Sequence, residues 1–182
     1  MDLPLQQAVE QLRLGQVIAY PTEGVYGLGC DPFNQEALLR LLALKQRALE
    51  KGVILIGASL EQMSPFIHWS ALSQARQKQI HQTWPGAVTW VLPATEQVPS
   101  WITGGRTTVA IRVSAHPLVQ QLCQAWGQVL VSTSANQSGQ APALSCEAVA
   151  QSFPQLLCLK GELLTPNQPS SIIDALTGQK IR

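Results

Sequence analysis

Three polar clusters interrupt apolar stretches of this chain, and their residue types suit an anionic ligand. Lys45 and Arg47 stand two residues apart behind the stripe Leu38, Leu41, Leu42. Within a helix, side chains two apart point about 200° from each other and cannot address one ligand. If the helix stops near Leu44 and the chain extends, both cations project to one side, which suits a polyphosphate. Two cations complementing a helix C-terminus are the competing reading. The run Ser132-Thr133-Ser134-Ala135-Asn136-Gln137-Ser138-Gly139 follows a short apolar segment. In extended backbone Ser132, Ser134 and Asn136 share a side, where hydroxyls and an amide bind phosphate or ribose without adding charge. A turn or cap would use the same residues. Finally, Pro21 to Gly29 carries Gly24, Gly27 and Gly29 directly behind a buried strand, where sheet proteins line ligand crevices. An ordinary glycine-rich connection explains it equally well.

Other chemistries lack their signatures. There is no GxxxxGK[ST], no GxGxxG, no GxSxG and no HExxH. Cys30, Cys123, Cys146 and Cys158 form no CxxC pair, and His68, His81 and His116 are isolated, so no protein-held metal is expected. The cysteines read as small core residues of a reducing compartment.

The elements that must position these clusters follow from periodicity. Charged residues are 13% and apolar ones 46% of 182 residues, enough for a core, while a net charge of +1 argues against a whole-surface nucleic-acid binder. Helices are expected at Pro4 to Gln16, from an Asn34 cap through Leu44, at Ser59 to Gln62, Ser73 to Thr83, Pro117 to Trp126 and Ser145 to Ser152. Strands are expected at Val17 to Tyr20, Val53 to Ile56, Val88 to Leu92, Thr108 to Val113 and Val129 to Thr133. Weaker ones fall at Leu156 to Leu159, Ser171 to Ile173 and Lys180 to Arg182. This alternation predicts an α/β, or mixed α+β, fold in a single domain spanning residues 1–182. No run approaches eighteen apolar residues, and the start from Met1 to Leu5 lacks the form of a signal peptide, so the cytoplasm is the expected compartment.

Taken in order, Ala19 to Asp31, Lys45-Gln46-Arg47, Trp84-Pro85-Gly86, Ala110 to Val113, Ser132 to Gly139, Ser170 to Asp174 and Ile181-Arg182 resemble the YrdC-like family. The length is similar to that of its short bacterial members. The resemblance implies a twisted mixed sheet with surrounding helices and a concave cavity. It implies an enzyme that converts L-threonine, bicarbonate or CO2, and ATP into threonylcarbamoyl-AMP and diphosphate. That product serves modification of the tRNA adenosine 3′ of the anticodon by a partner transferase complex, with weak tRNA contact left open. The resemblance marks Lys45, Arg47, Ser134 and Asn136 as functional. We expect Lys45 and Arg47 to be catalytic and, with Ser134, Asn136 and Arg182, to bind ATP. Thr22, Arg112 and Ser171 are expected to bind threonine, a structural salt bridge being the alternative for Arg112. Mg2+ is expected to arrive with ATP. Two departures stand out: Ala48 replaces a proline common among relatives, and Gly57-Ala58-Ser59 stands where many carry a histidine. A non-catalytic RNA-binding module and carbamoyl transfer from another donor are the competing functions.

Overall fold

A computed structural model describes residues 2–182; Met1, where the expected cytoplasmic start begins, lies outside them. Helix α1 (Leu3–Arg13) opens on Asp2, whose carboxylate accepts the Leu5 amide at 3.1 Å, and Pro4 suits the first turn. It buries Leu5, Ala8, Val9 and Leu12, at helical spacing. Strands β1 (Ile18–Pro21) and β2 (Tyr26–Gly29) form an antiparallel hairpin. The second half of the expected glycine-rich loop is therefore a strand. Helix α2 (Gln35–Lys45) is capped by Asn34 as expected. There follow β3 (Ile54–Gly57), the short α3 (Leu60–Met63) with its Ser59 cap, α4 (Gln74–Thr83), β4 (Val88–Pro93), α5 (Ser100–Thr103) and β5 (Thr108–Val113). The chain continues through α6 (Pro117–Trp126), β6 (Leu130–Ser134), α7 (Cys146–Ser152), β7 (Leu157–Cys158) and β8 (Ser171–Asp174). The expected strand at Lys180 to Arg182 is reduced to one bridge between Lys180 and Ile173.

Among the described residues eight strands join one mixed sheet in the order β7-β1-β2-β6-β3-β5-β4-β8. Its two faces separate by residue parity. Ala19, Leu28, Leu55, Ile111 and Val131 pack with α2, α4 and α7 on one side. Ile18, Tyr20, Ile56 and Leu130 face the other, beneath α1 and α6. No helix among the described residues is long and apolar enough to cross a membrane.

The cysteine expectation holds only in part. Cys30 and Cys123 are buried thiols, and burial pushes the Cys123 thiol up to about 12. Cys146 and Cys158 instead form a disulfide between α7 and β7, because the helix start and the edge strand bring their Cα atoms to 5.8 Å.

Candidate active-site cleft

The face that carries α1 and α6 continues onto different chemistry. In register, Ile54 lies beside both Ser132 and Ala110, Gly27 beside Ser134, and Arg112 beside Ile56. Small and polar residues thus replace the aliphatic ones across half of the face. That half opens into a cavity of about 620 Å³, in the range of small-molecule sites. A Cβ at Gly27 would project from its floor, 3.6 Å from the Ser132 hydroxyl. Gly24 has a tighter constraint: a Cβ there would stand 1.9 Å from the Gln168 carbonyl. Residues 165–170 run against the β1–β2 turn at this point. The Thr165 and Asn167 amides donate to the Glu23 and Gly24 carbonyls at 2.7 and 3.0 Å.

One end of the cavity gathers cations. Helix α2 runs through Lys45, and Gln46 then adopts a left-handed conformation with φ 51°. The expected extended segment is absent, and this turn separates the two cations instead. Arg47 lines the cavity with Lys51 and Arg106. The Arg47 guanidinium donates to the Gly52 carbonyl at 2.9 Å, and Arg106 donates to the Glu50 and Lys51 carbonyls at 2.7 and 2.9 Å. Two arginines therefore brace one short turn. Among the described residues none of Lys45, Arg47, Lys51 and Arg106 forms an ion pair. Burial and then the charge of Arg106 draw Arg47 below the usual guanidinium range. Its Nε is buried and unpartnered.

Lys45 corrects the expectation that both cations face the ligand. It is only 3% exposed, and its ammonium donates to the Ser134 and Asn136 carbonyls, the latter at 2.8 Å. Burial and then the neighbouring Arg47 push it down to about 8. Lys45 ties the loop after β6 to the end of α2. Asn136 also points away from the cavity lining: its Oδ1 accepts the Ser134 hydroxyl at 2.5 Å, and its amide donates to the Gln137 and Gln140 carbonyls. Ser134 does line the cavity, as expected.

The other end is built around Arg112, which is 6% exposed. Its Nη2 lies 3.7 Å from Glu23 Oε2, an ion pair too long to be a hydrogen bond. Its Nε is buried with no partner. Thr22 and Arg182 share this lining, and burial and then Arg112 lower the Arg182 guanidinium. Arg182 donates to the Ser170 carbonyl at 3.2 Å. Ser170, rather than Ser171, lines the cavity, since alternate residues of the edge segment turn to opposite faces. Lys51, Arg106, Ser170 and Glu23 join the site without having been selected from the sequence. For Arg106 the available signal was a cation directly after two glycines, both with positive φ.

Among the described residues no group of three or more His, Cys, Asp or Glu side chains could hold a metal. Asp174 is the acidic residue of the described lining, and its Oδ1 already accepts the Leu176 and Thr177 amides.

Known proteins resemble this arrangement over the whole chain. A family model described as telomere recombination, that of Sua5, YciO and YrdC, matches residues 10–182. A threonylcarbamoyl-AMP synthase of Vibrio campbellii is 50% identical over 179 residues, covering 97% of each chain. That of Stenotrophomonas maltophilia is 49% identical over 183 residues, covering 100% of this chain and 98% of its own. The structure of P. abyssi Sua5 complexed with L-threonine superposes with a TM-score of 0.86 at 32% identity. It is matched over 93% of this chain and 50% of its own, so this chain spans half of that longer one.

Proposed function

This chain belongs to the Sua5/YciO/YrdC family, and we propose that its cleft is where threonine, bicarbonate or CO2, and ATP become threonylcarbamoyl-AMP and diphosphate. The enzyme catalyses nucleotidyl transfer, and threonine and ATP are its substrates. A non-catalytic RNA-binding module is not favoured, since relatives at about half identity are named synthases.

The observation that carries the reading is the division of charge along the cavity. Unpaired cations at one end suit a polyphosphate, and at the other an arginine held beside a buried counter-ion, with Arg182 next to it, suits a carboxylate. The threonine amine adds to CO2, losing a proton, and gives a carbamate. A carbamate oxygen attacks the α-phosphorus, the bond to the β-phosphate bridging oxygen breaks, and diphosphate leaves. Both reactants are anionic, so the protein must offset their repulsion and hold them in line. Arg47, Lys51 and Arg106 would hold the phosphates, with Ser134 beside them. Lys45 would act through the loop it ties down, and Asn136 by fixing the Ser134 hydroxyl. The buried, unsatisfied edge of Arg112 would receive the threonine carboxylate, with Thr22 and Ser170 nearby. Arg182 adds charge to that end.

Mg2+ belongs to the proposal as a companion of ATP. The donor set offers no cage, so its ligands would be phosphate oxygens and water. Supply of the product to a tRNA-modifying transferase, in the cytoplasm, is likewise proposed. The experiment is diphosphate release from ATP with threonine and bicarbonate each omitted in turn. Release that depends on both is expected; steady ADP and phosphate formation instead would sink the adenylylation mechanism.

A further inference from the structure

Glu23 is a buried carboxylate that the reaction as described does not use. It is 4% exposed and lies behind the cavity wall rather than in its lining. Its Oε1 accepts the Ser114 hydroxyl at 2.7 Å and the Ala115 amide at 3.0 Å, so its orientation is set by the chain just beyond β5. Its Oε2 accepts no hydrogen bond and stands 3.7 Å from Arg112 Nη2. The carboxylate is thus held near Arg112 without occupying the guanidinium's hydrogen-bonding positions. Arg112 keeps unsatisfied N–H groups but loses much of its net charge.

We propose that Glu23 determines specificity at the Arg112 end, by making it a receptor for a singly charged carboxylate and a poor one for phosphate. The inference rests on Arg112 being the threonine carboxylate receptor. A planar guanidinium binds carboxylate and phosphate with similar geometry, so geometry alone cannot separate them. Charge can. Arg112 and Arg182 together, without Glu23, would compete with the Arg47 end for diphosphate. With Glu23 in place, a polyanion gains more at the end where no cation is paired.

The test measures threonine affinity by titration calorimetry, with and without millimolar inorganic diphosphate. In the unaltered enzyme, threonine affinity should change less than about twofold on adding diphosphate. In Glu23→Gln, which keeps an oxygen for Ser114 and Ala115 but loses the charge, diphosphate should weaken threonine by about tenfold or more. Glu23→Asp should retain the unaltered pattern. A purely structural Glu23 would shift melting without creating this competition. Diphosphate that displaces threonine from the unaltered enzyme overturns the proposal, even if Glu23→Gln fails to fold. So does a folded Glu23→Gln that shows no competition. Arg112→Ala separates the two ideas: if threonine affinity survives that change, the carboxylate-receptor reading itself is wrong.

Discussion

Replacing Lys45 with Met removes a buried ammonium while keeping most of its apolar stem. Two opposing effects decide the result at neutral pH. The fall from 10.5 to about 8 is worth roughly 3 kcal/mol against the charged form, and about 2 kcal/mol after allowing for partial solvation. Removing the charge relieves that cost. Against it, the Asn136 carbonyl loses its donor, at about 1–3 kcal/mol, and the Ser134 carbonyl, which keeps the Asn136 amide, loses a charged hydrogen bond worth about 1.5–3 kcal/mol. The carbonyls win. Lys45→Met should be destabilised by about 2 kcal/mol, lowering Tm by about 4–8 °C for a chain of this size. The pH dependence isolates the ammonium. Below pH 8 Lys45 is charged in folded and unfolded chains alike, so its cost is carried in full. Between pH 8 and 10.5 the unfolded chain binds the extra proton, so the wild type gains stability as pH rises. The variant lacks this gain, and the stability difference between the two should widen by about 2 kcal/mol across that window. Urea unfolding of both proteins at a series of pH values measures it. A difference that stays flat from pH 8 to 10.5, or a variant more stable than wild type at pH 7, would refute the burial argument.

Arg47→Ala should melt close to wild type, since the lost bond to the Gly52 carbonyl is offset by relief of repulsion from Arg106, yet lose about ten- to more than a hundredfold in diphosphate release at low ATP. Arg47→Lys should also lose activity, having no planar fork, whereas Arg40→Ala on the outer face of α2 should stay near wild type in turnover. Ala48→Pro should raise stability by about 0.4–1 kcal/mol in thermal melting, because Ala48 already has φ −67° and ψ 141°. Gly24→Ala should reduce both melting temperature and threonine affinity, since its Cβ must displace the backbone at Gln168. Reducing Cys146–Cys158 should cost up to about 3 kcal/mol of stability for so short a loop, with little change in turnover, because neither cysteine lines the cavity.

Most elements were legible because their apolar spacing matched one period and a capping residue marked the start, as Asn34 and Ser73 do for α2 and α4. Strand β2 was missed for a physical reason. Tyr26-Gly27-Leu28-Gly29 has poor intrinsic strand character, and its glycines are required by neighbours: a Cβ at Gly29 would meet the Val131 carbonyl at 2.5 Å. Lys45 and Arg47 were found, but their relation was not, since a left-handed Gln46 without glycine has no local signature. The serine of the edge segment was misjudged by one position, and a one-residue slip in a strand exchanges its faces. Glu23 and Arg106 act through partners 89 and 59 residues away in the chain, Arg112 and Arg47, and such pairings appear only once the sheet is assembled.

The strand order has a mechanical consequence. Strands β7 and β8 are consecutive in the chain yet form opposite edges of the sheet. Residues 159–170 connect them, and twelve residues reach at most about 40 Å. Crossing eight strands edge to edge takes roughly 34 Å on a flat sheet, and twisting shortens this. The connection passes the β1–β2 turn at Glu23 and Gly24 and makes one turn of its own, where the Gln168 amide donates to the Thr165 carbonyl. Its far end carries Ser170, to which Arg182 returns after β8, and both wall the cleft. A growing chain consequently holds most of its fold before it holds a site. Binding becomes available only when the last edge strand docks and the connection settles against the β1–β2 turn.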